Sequence, residues 1–166
     1  PTNPATHSYT IQYLISMEGE VKGPVFICLK EPNGKMGPLV KQDLASYLPS
    51  NVRDTCSVSG KMSTSLNEYY IVQILVPAVT EDFLHIVDSW GGHKNITSYE
   101  QFFGEENERP EITLRIIPPK CTPICQPLDT TFHRQLKYMA REILAKLQIS
   151  MDSNTESWTN RKGVIK

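Results

Sequence analysis

Hydrophobic and polar positions change rhythm several times along this chain, and each change predicts an element. From Tyr9 to Met17 apolar and polar residues alternate and are rich in strand formers. Glu18-Gly19-Glu20 interrupts them, and Val21 to Leu29 resumes the run through Val25, Phe26, Ile27 and Leu29. Residues two apart share a face of a strand, so the pattern predicts a β-hairpin. Pro1 and Pro4 before it predict an irregular entry. From Glu31 to Ser59 the rhythm is lost: Glu31-Pro32-Asn33-Gly34, then Gly37, Pro38 and Pro49, predict a long connection with little regular structure. Ser65 with Glu68 three residues later forms a capping-box pattern. Leu66, Tyr69, Tyr70 and Ile74 follow at helical spacing and predict a helix that runs to Pro77.

The run Phe83 to Val87 is apolar and ends at Asp88, after which Ser89-Trp90-Gly91-Gly92 imposes a loop. It predicts a buried strand that delivers an acid at its carboxyl end. A short helix is expected at Ser98 to Phe103, then a charged loop from Gly104 to Pro110. A strand from Glu111 to Ile117 is expected next, in which Ile112, Leu114 and Ile116 alternate until Pro118-Pro119 stops it. Pro127 opens an amphipathic helix whose Leu128, Phe132, Leu136, Met139, Ile143 and Leu147 step by three or four, fraying near Ser150. The order is hairpin, helix, strand, helix, strand, helix, which calls for an α/β fold: a mixed sheet flanked by helices. Residues 1–150 are expected to form one domain and 151–166 a polar tail.

Length and composition narrow the picture. The chain has 166 residues, enough for one core and too few for two ordinary domains. Seventeen basic residues against eighteen acidic ones give a net charge of −1, so any nucleic-acid contact must be local rather than a matter of bulk charge. A mean hydropathy of −0.33, with apolar runs broken by Gln73, Pro77 and the polar stretch from Thr80 to Asp82, excludes a membrane span. Four cysteines make a sparse set and favour a reducing compartment over a disulfide scaffold.

Two carboxylates attract attention by position. In open α/β sheets ligands collect beyond the carboxyl ends of strands, and Asp88 stands there with Gly91 and Gly92 allowing close backbone approach. An acid that merely starts a turn explains it too. Asp129 falls in the first turn of the last helix, where the helix dipole favours an acid in any case. Brought together they would form part of an oxygen-ligand site for Mg²⁺ or Mn²⁺. A pair of such ions activates water and stabilises the leaving oxygen in phosphodiester cleavage, and it normally needs a third carboxylate. On the same helix His133, Lys137 and Arg141 follow Asp129 at steps of four, with Arg134 beside them. That basic stripe suits a phosphate backbone, and equally a solvated helix face.

These residues carry a resemblance. Asp88-Ser89-Trp90-Gly91-Gly92-His93-Lys94-Asn95 resembles the segment around the second catalytic acid of the pogo and jerky branch of the mariner-type transposases, the DDE superfamily endonucleases. The stretch from Leu114 through Pro118-Pro119 to Gln126-Pro127-Leu128-Asp129 is similar to that branch's strand, Pro-Pro turn and third-acid motif. Gly60-Lys61-Met62-Ser63-Thr64 and the hairpin ending in Phe26-Ile27-Cys28-Leu29-Lys30 also resemble it. The resemblance spans Tyr9 to Gln148. It implies a ribonuclease-H-like fold, Mg²⁺ or Mn²⁺ held by Asp88 and Asp129, His93 near the scissile phosphate, and DNA as partner. Lys94, Lys120, His133, Arg134, Lys137 and Arg141 are then the expected nucleic-acid contacts; a nuclear location and a homodimer belong to the same set of expectations.

The sequence also departs from that family. Ser89 stands where Asn usually follows the second acid, and the 41-residue step from Asp88 to Asp129 is long. The family's first catalytic Asp lies on a central strand just before the hairpin, whereas no Asp precedes Asp43 here. The expectation is an amino-terminally incomplete catalytic domain, or a domesticated or decayed derivative that binds DNA or protein without cleaving. Cys121, Cys125, His85, His93 and His133 supply zinc-ligand types, but no second pair completes four ligands. His85, Cys28, Cys56, Trp90 and Trp158 read as packing residues. No Gly-rich phosphate loop and no Gly-x-Ser-x-Gly elbow is present.

Overall fold

A computed structural model describes residues 8–121 and 128–151; at 129, 130, 144 and 147–151 it describes the backbone only. Strand β1 (Tyr9–Gln12) runs antiparallel to β2 (Val25–Lys30), with Tyr9 opposite Leu29 and Gln12 opposite Phe26. The bridge between Ile15 and Val21 and the bond from Lys22 N–H to the Leu14 carbonyl carry the hairpin toward its tip, where Gly19 takes a φ of +87°. The hairpin is the one the alternation predicts, with its ladder interrupted.

The segment from Glu31 to Ser59 is not the irregular connection expected. It holds helix α1 (Pro38–Tyr47) and strand β3 (Val52–Ser57), which pairs in parallel with β2. Pro38 starts the helix instead of breaking it, because the first turn has no use for its missing N–H. The helix buries only Leu44, so it leaves no apolar stripe to read. Strand β3, an edge strand among the described residues, carries Arg53, Asp54 and Thr55 because none of its side chains is fully buried.

Helix α2 (Thr64–Tyr70) is capped by Ser63, not Ser65: Ser63 is extended, and its Oγ accepts from Leu66 N–H at 3.3 Å, while Ser65 already lies inside the helix. The helix widens into a π turn (Ile71–Leu75) before α3 (Val76–Ala78), with Val76 N–H reaching back five residues to Ile71. Pro77 accounts for this, since its ring crowds the carbonyl four residues back and a wider turn relieves the clash. Strands β4 (Phe83–Val87) and β5 (Ile112–Ile116) pair in parallel, with Val87 opposite Ile116. The short helix α4 (Thr97–Glu100) sits between them, shorter than the expected Ser98 to Phe103 because the chain leaves it through turn bonds from Phe102 and Phe103. The final helix begins as a π turn (Leu128–Phe132) and continues as α5 (His133–Met151); Pro127 lies outside the described residues, as does the tail from 152 onward.

The architecture is mixed α/β, small sheets flanked by helices, as a ribonuclease-H-like domain fragment requires. Among the described residues the strands form two sheets, β1-β2-β3 and β4-β5. One core joins them. Phe26 from β2 meets Tyr70, Ile71, Ile74 and Leu75 from the helix, and Tyr99 and Phe103 from around α4, with Phe83, Ile112 and Leu114 of the second sheet packed against the cluster. Phe26 and Tyr70 meet edge to face at 5.5 Å, as do Phe83 and Phe103 at 5.2 Å.

Candidate active site

Strand β4 is held straight to its end by β5, and the ladder continues one step further through Ile117 N–H to the Val87 carbonyl. Asp88 follows at once, as the apolar run predicts. Its Oδ1 accepts from Trp90 N–H at 3.1 Å and lies 2.7 Å from His93 Nδ1. A carboxylate offers only acceptors, so Nδ1 is the protonated nitrogen of that pair and His93 presents Nε2 outward from it. The Asp88 and His93 side chains are only 33% and 15% exposed, which strengthens the bond between them by excluding water. Among the described residues nothing bonds Asp88 Oδ2, so one carboxylate oxygen is locked and the other is open to an incoming cation or proton.

The loop that makes this pair is built by close packing. Gly91–His93 forms a 3-10 turn in which His93 N–H bonds the Trp90 carbonyl. The Trp90 indole folds back over the turn and meets the His93 ring edge to face at 4.9 Å. A Cβ at Gly92 would run into the Cη2 and Cζ3 atoms of that indole, so the glycine is required by the fold of the loop. Gly92→Ala is therefore expected to destabilise the protein by about 1–3 kcal/mol, as overpacking does, and to cost much less in a Trp90→Ala background. Urea denaturation of the four proteins checks this, and equal costs in both backgrounds would remove the indole as the cause.

Beneath the loop lie two further polar groups that the sequence pattern concealed. Asn67 of α2 donates from Nδ2 to the Gly92 carbonyl at 3.3 Å and to Tyr99 Oη at 3.4 Å. Tyr99, from α4, is 1% exposed; burial raises the pKa of its hydroxyl, the bond from Asn67 opposes that, and the Asp88 charge adds to it. The next residue of α2, Glu68, accepts from Ser98 Oγ at 3.2 Å, and Ser98 in turn accepts from Asn95 at 2.8 Å. So Glu68 serves to dock α4 and not to close a capping box. His85, on the inner side of β4, packs near the Tyr99 ring at 5.8 Å. Burial and then the neighbouring His93 charge lower its pKa to about 4.

Asp129, the second expected metal ligand, lies in the π turn that starts the last helix; its side chain is outside the described residues, and with it any approach to Asp88. Arg134, Lys137 and Arg141 are exposed along α5, whereas His133 is half-buried and its ring lies 6.0 Å from that of Tyr13, which takes it out of the solvated stripe. Lys94 and Lys120 are exposed, the latter with a φ of +68°. Among the described residues no three His, Cys, Asp or Glu side chains converge on a metal-sized site, zinc set included; Cys125 lies outside them. Nor is any described helix long and apolar enough to cross a membrane.

The described residues form an α/β arrangement in which strand β4 presents a carboxylate, with one oxygen bonded and one unbonded, beside a histidine. The profile described as DDE superfamily endonuclease matches residues 35–165, and the chain belongs to that family. No curated protein and no solved structure matches the chain. The matched region contains β4, the Asp88 loop, β5 and α5, and its membership supports a transposase-like nuclease domain acting on DNA.

Proposed function

We propose that this chain is the catalytic region of a transposase of the pogo and jerky branch, with Asp88 and Asp129 as metal-ligating acids. The observation that carries the reading is the state of Asp88: one oxygen fixed by His93 and Trp90, the other unbonded, at the end of a strand inside the matched family region. An anionic oxygen held in place and left open fits one position in the oxygen shell of Mg²⁺ or Mn²⁺. When bound, the metals of this superfamily supply charge neutralisation and an activated water for phosphodiester hydrolysis. Asp88 would hold such an ion through Oδ2 and Asp129 would share it. His93, oriented by Asp88, would offer Nε2 toward a phosphate or a leaving oxygen. Lys94, Lys120, Arg134, Lys137 and Arg141 would neutralise the DNA backbone, each adding to the salt dependence of binding.

The remaining carboxylate that two-metal cleavage requires, the first catalytic acid of the resemblance, would come from a strand ahead of Tyr9. What supports that position is the pair of one-sided strands: among the described residues β1 is bonded only to β2 and β4 only to β5, and a strand between them would join two sheets that already share a core. The experiment joins an upstream strand carrying an Asp to residues 1–166 and measures nicking of supercoiled DNA with Mn²⁺ or Mg²⁺. Metal-dependent nicking by the joined protein, with only weak Mn²⁺ binding and no nicking by the 166-residue chain, is the expected result. A folded joined protein that binds DNA and never nicks it would instead mark a domesticated module.

A further inference from the structure

Helix α2 buries an amide where its pattern calls for an apolar side chain. Asn67, Tyr70, Ile71 and Ile74 occupy one stripe of the α2 helix and its π turn, and all four are 2% exposed or less. Three of them are core hydrophobics. Asn67 is the exception, and its Oδ1 has no hydrogen-bond partner among the described residues. An unmet buried acceptor costs roughly 1–3 kcal/mol, and an apolar side chain such as leucine, which has the same branching but is larger, would avoid that cost. The compensation lies on the other side of the amide, where both bonds made by Nδ2 lead to the Asp88 loop: one to the Gly92 carbonyl, one to Tyr99 Oη.

Gly92 is thereby held from two directions. The Trp90 indole covers its Cα, and Asn67 grips its carbonyl. The residues on either side of that clamp are the two that bond Asp88 Oδ1, Trp90 through its N–H and His93 through Nδ1. Turning the Gly92 peptide would swing the His93 ring away from Oδ1, because His93 is the next residue along the chain. We propose that Asn67 is the positioning residue of the site: its buried amide fixes the Gly92 peptide, which fixes His93 on Asp88 Oδ1 and leaves Oδ2 as the one free oxygen. This deepens the proposed function and rests on it for the role of Oδ2. The geometric part, that Asn67 sets the Asp88–His93 bond, stands independently of any metal.

The test uses the full chain and nuclear magnetic resonance of its ¹⁵N-labelled imidazole and amide groups. In the wild type, His93 Nδ1–H is expected to give a slowly exchanging resonance, identified by its disappearance in His93→Gln. Asn67→Leu is expected to erase or broaden that resonance while the folded amide pattern persists. Glu68→Ala, which loosens the neighbouring tie from α2 to Ser98, is expected to keep it. A resonance retained in Asn67→Leu would overturn the proposal, and so would its equal loss in Glu68→Ala, which would mean that any loosening of α2 suffices. Should Asn67→Leu fail to fold, exchange in the wild type decides: the Asn67 Nδ2 protons and the His93 Nδ1 proton must be protected together, and independent exchange refutes the clamp. Mn²⁺ titrations separate the two readings. Removing a second-sphere support typically lowers metal affinity 10–100-fold, so Asn67→Leu should weaken Mn²⁺ binding by about that factor. If Asp88→Asn leaves Mn²⁺ affinity unchanged while Asn67→Leu still loses the His93 signal, the metal reading falls and the positioning role survives.

Discussion

Replacing Asp88 with Asn in the protein that carries all three carboxylates is expected to lower metal-dependent DNA nicking about a thousandfold, equivalent to roughly 4 kcal/mol in the barrier. The reason is geometric. An asparagine keeps an oxygen for the bonds from His93 Nδ1–H and Trp90 N–H, so the amide settles with that oxygen where Oδ1 now lies. Its NH₂ group then occupies the place of Oδ2 and presents hydrogens where a cation would sit. The loop keeps its shape, the volume is unchanged, and the anionic ligand is gone. Asp129→Asn should cause a loss of the same order. Nicking assays with Mn²⁺ and Mg²⁺, set beside circular dichroism and thermal melts that stay within a few degrees of wild type, check both. Activity that survived both substitutions would remove these residues from the site, because two-metal hydrolysis does not tolerate the loss of a charged ligand from each side.

Sequence pattern reveals structure here where burial is one-sided and periodic. Phe83 to Val87 is legible as a strand ending at Asp88, but it is not the buried strand its apolar run predicts: Val87 is buried and Phe83 packs on the core, whereas Leu84 and Ile86 face outward and are exposed. The last helix is legible from its three-and-four spacing. Strand β3 is not, because none of its side chains is fully buried, and Arg53-Asp54-Thr55 reads like a loop. Helix α1, with Leu44 its only buried residue, leaves no stripe in the sequence. At α2 the pattern puts the cap two residues late, because Ser63 and Ser65 are chemically equal and only backbone conformation separates them. In the candidate site, Asp88 and His93 stand out through spacing and resemblance. Asn67 is hidden, since a polar residue in a helix ordinarily signals solvent. The signal that could have exposed it is its register with Tyr70, Ile71 and Ile74, which puts an amide on the buried stripe. Which distant strands pair within each sheet has no local signature, because that pairing is set by tertiary contacts.

Acid is expected to weaken the fold from the underside of the same strand. His85 lies three residues before Asp88 with its ring toward Tyr99 and Phe83, and burial followed by the His93 charge lowers its pKa from 6.5 to about 4. The fold thus favours the neutral imidazole, whereas the unfolded chain takes up a proton near pH 6.5. Above that value neither state is protonated there and His85 adds no slope. As pH falls from 6.5 toward 4 the unfolded chain gains a proton that the folded chain refuses, and stability declines; below about 4 both states are protonated and the decline from this group ends. At 1.36 kcal/mol per pKa unit the loss amounts to about 3 kcal/mol, a large part of the stability of a domain this size. Urea unfolding measured between pH 7 and pH 4 should show it. His85→Phe, which keeps an aromatic ring between Phe83 and Tyr99 and removes the proton site, should flatten the curve by that amount and leave the part due to the other titratable groups. Parallel curves for the two proteins would mean that His85 accepts its proton as freely in the fold as in water, and that the inner face of β4 is wetter than its packing indicates.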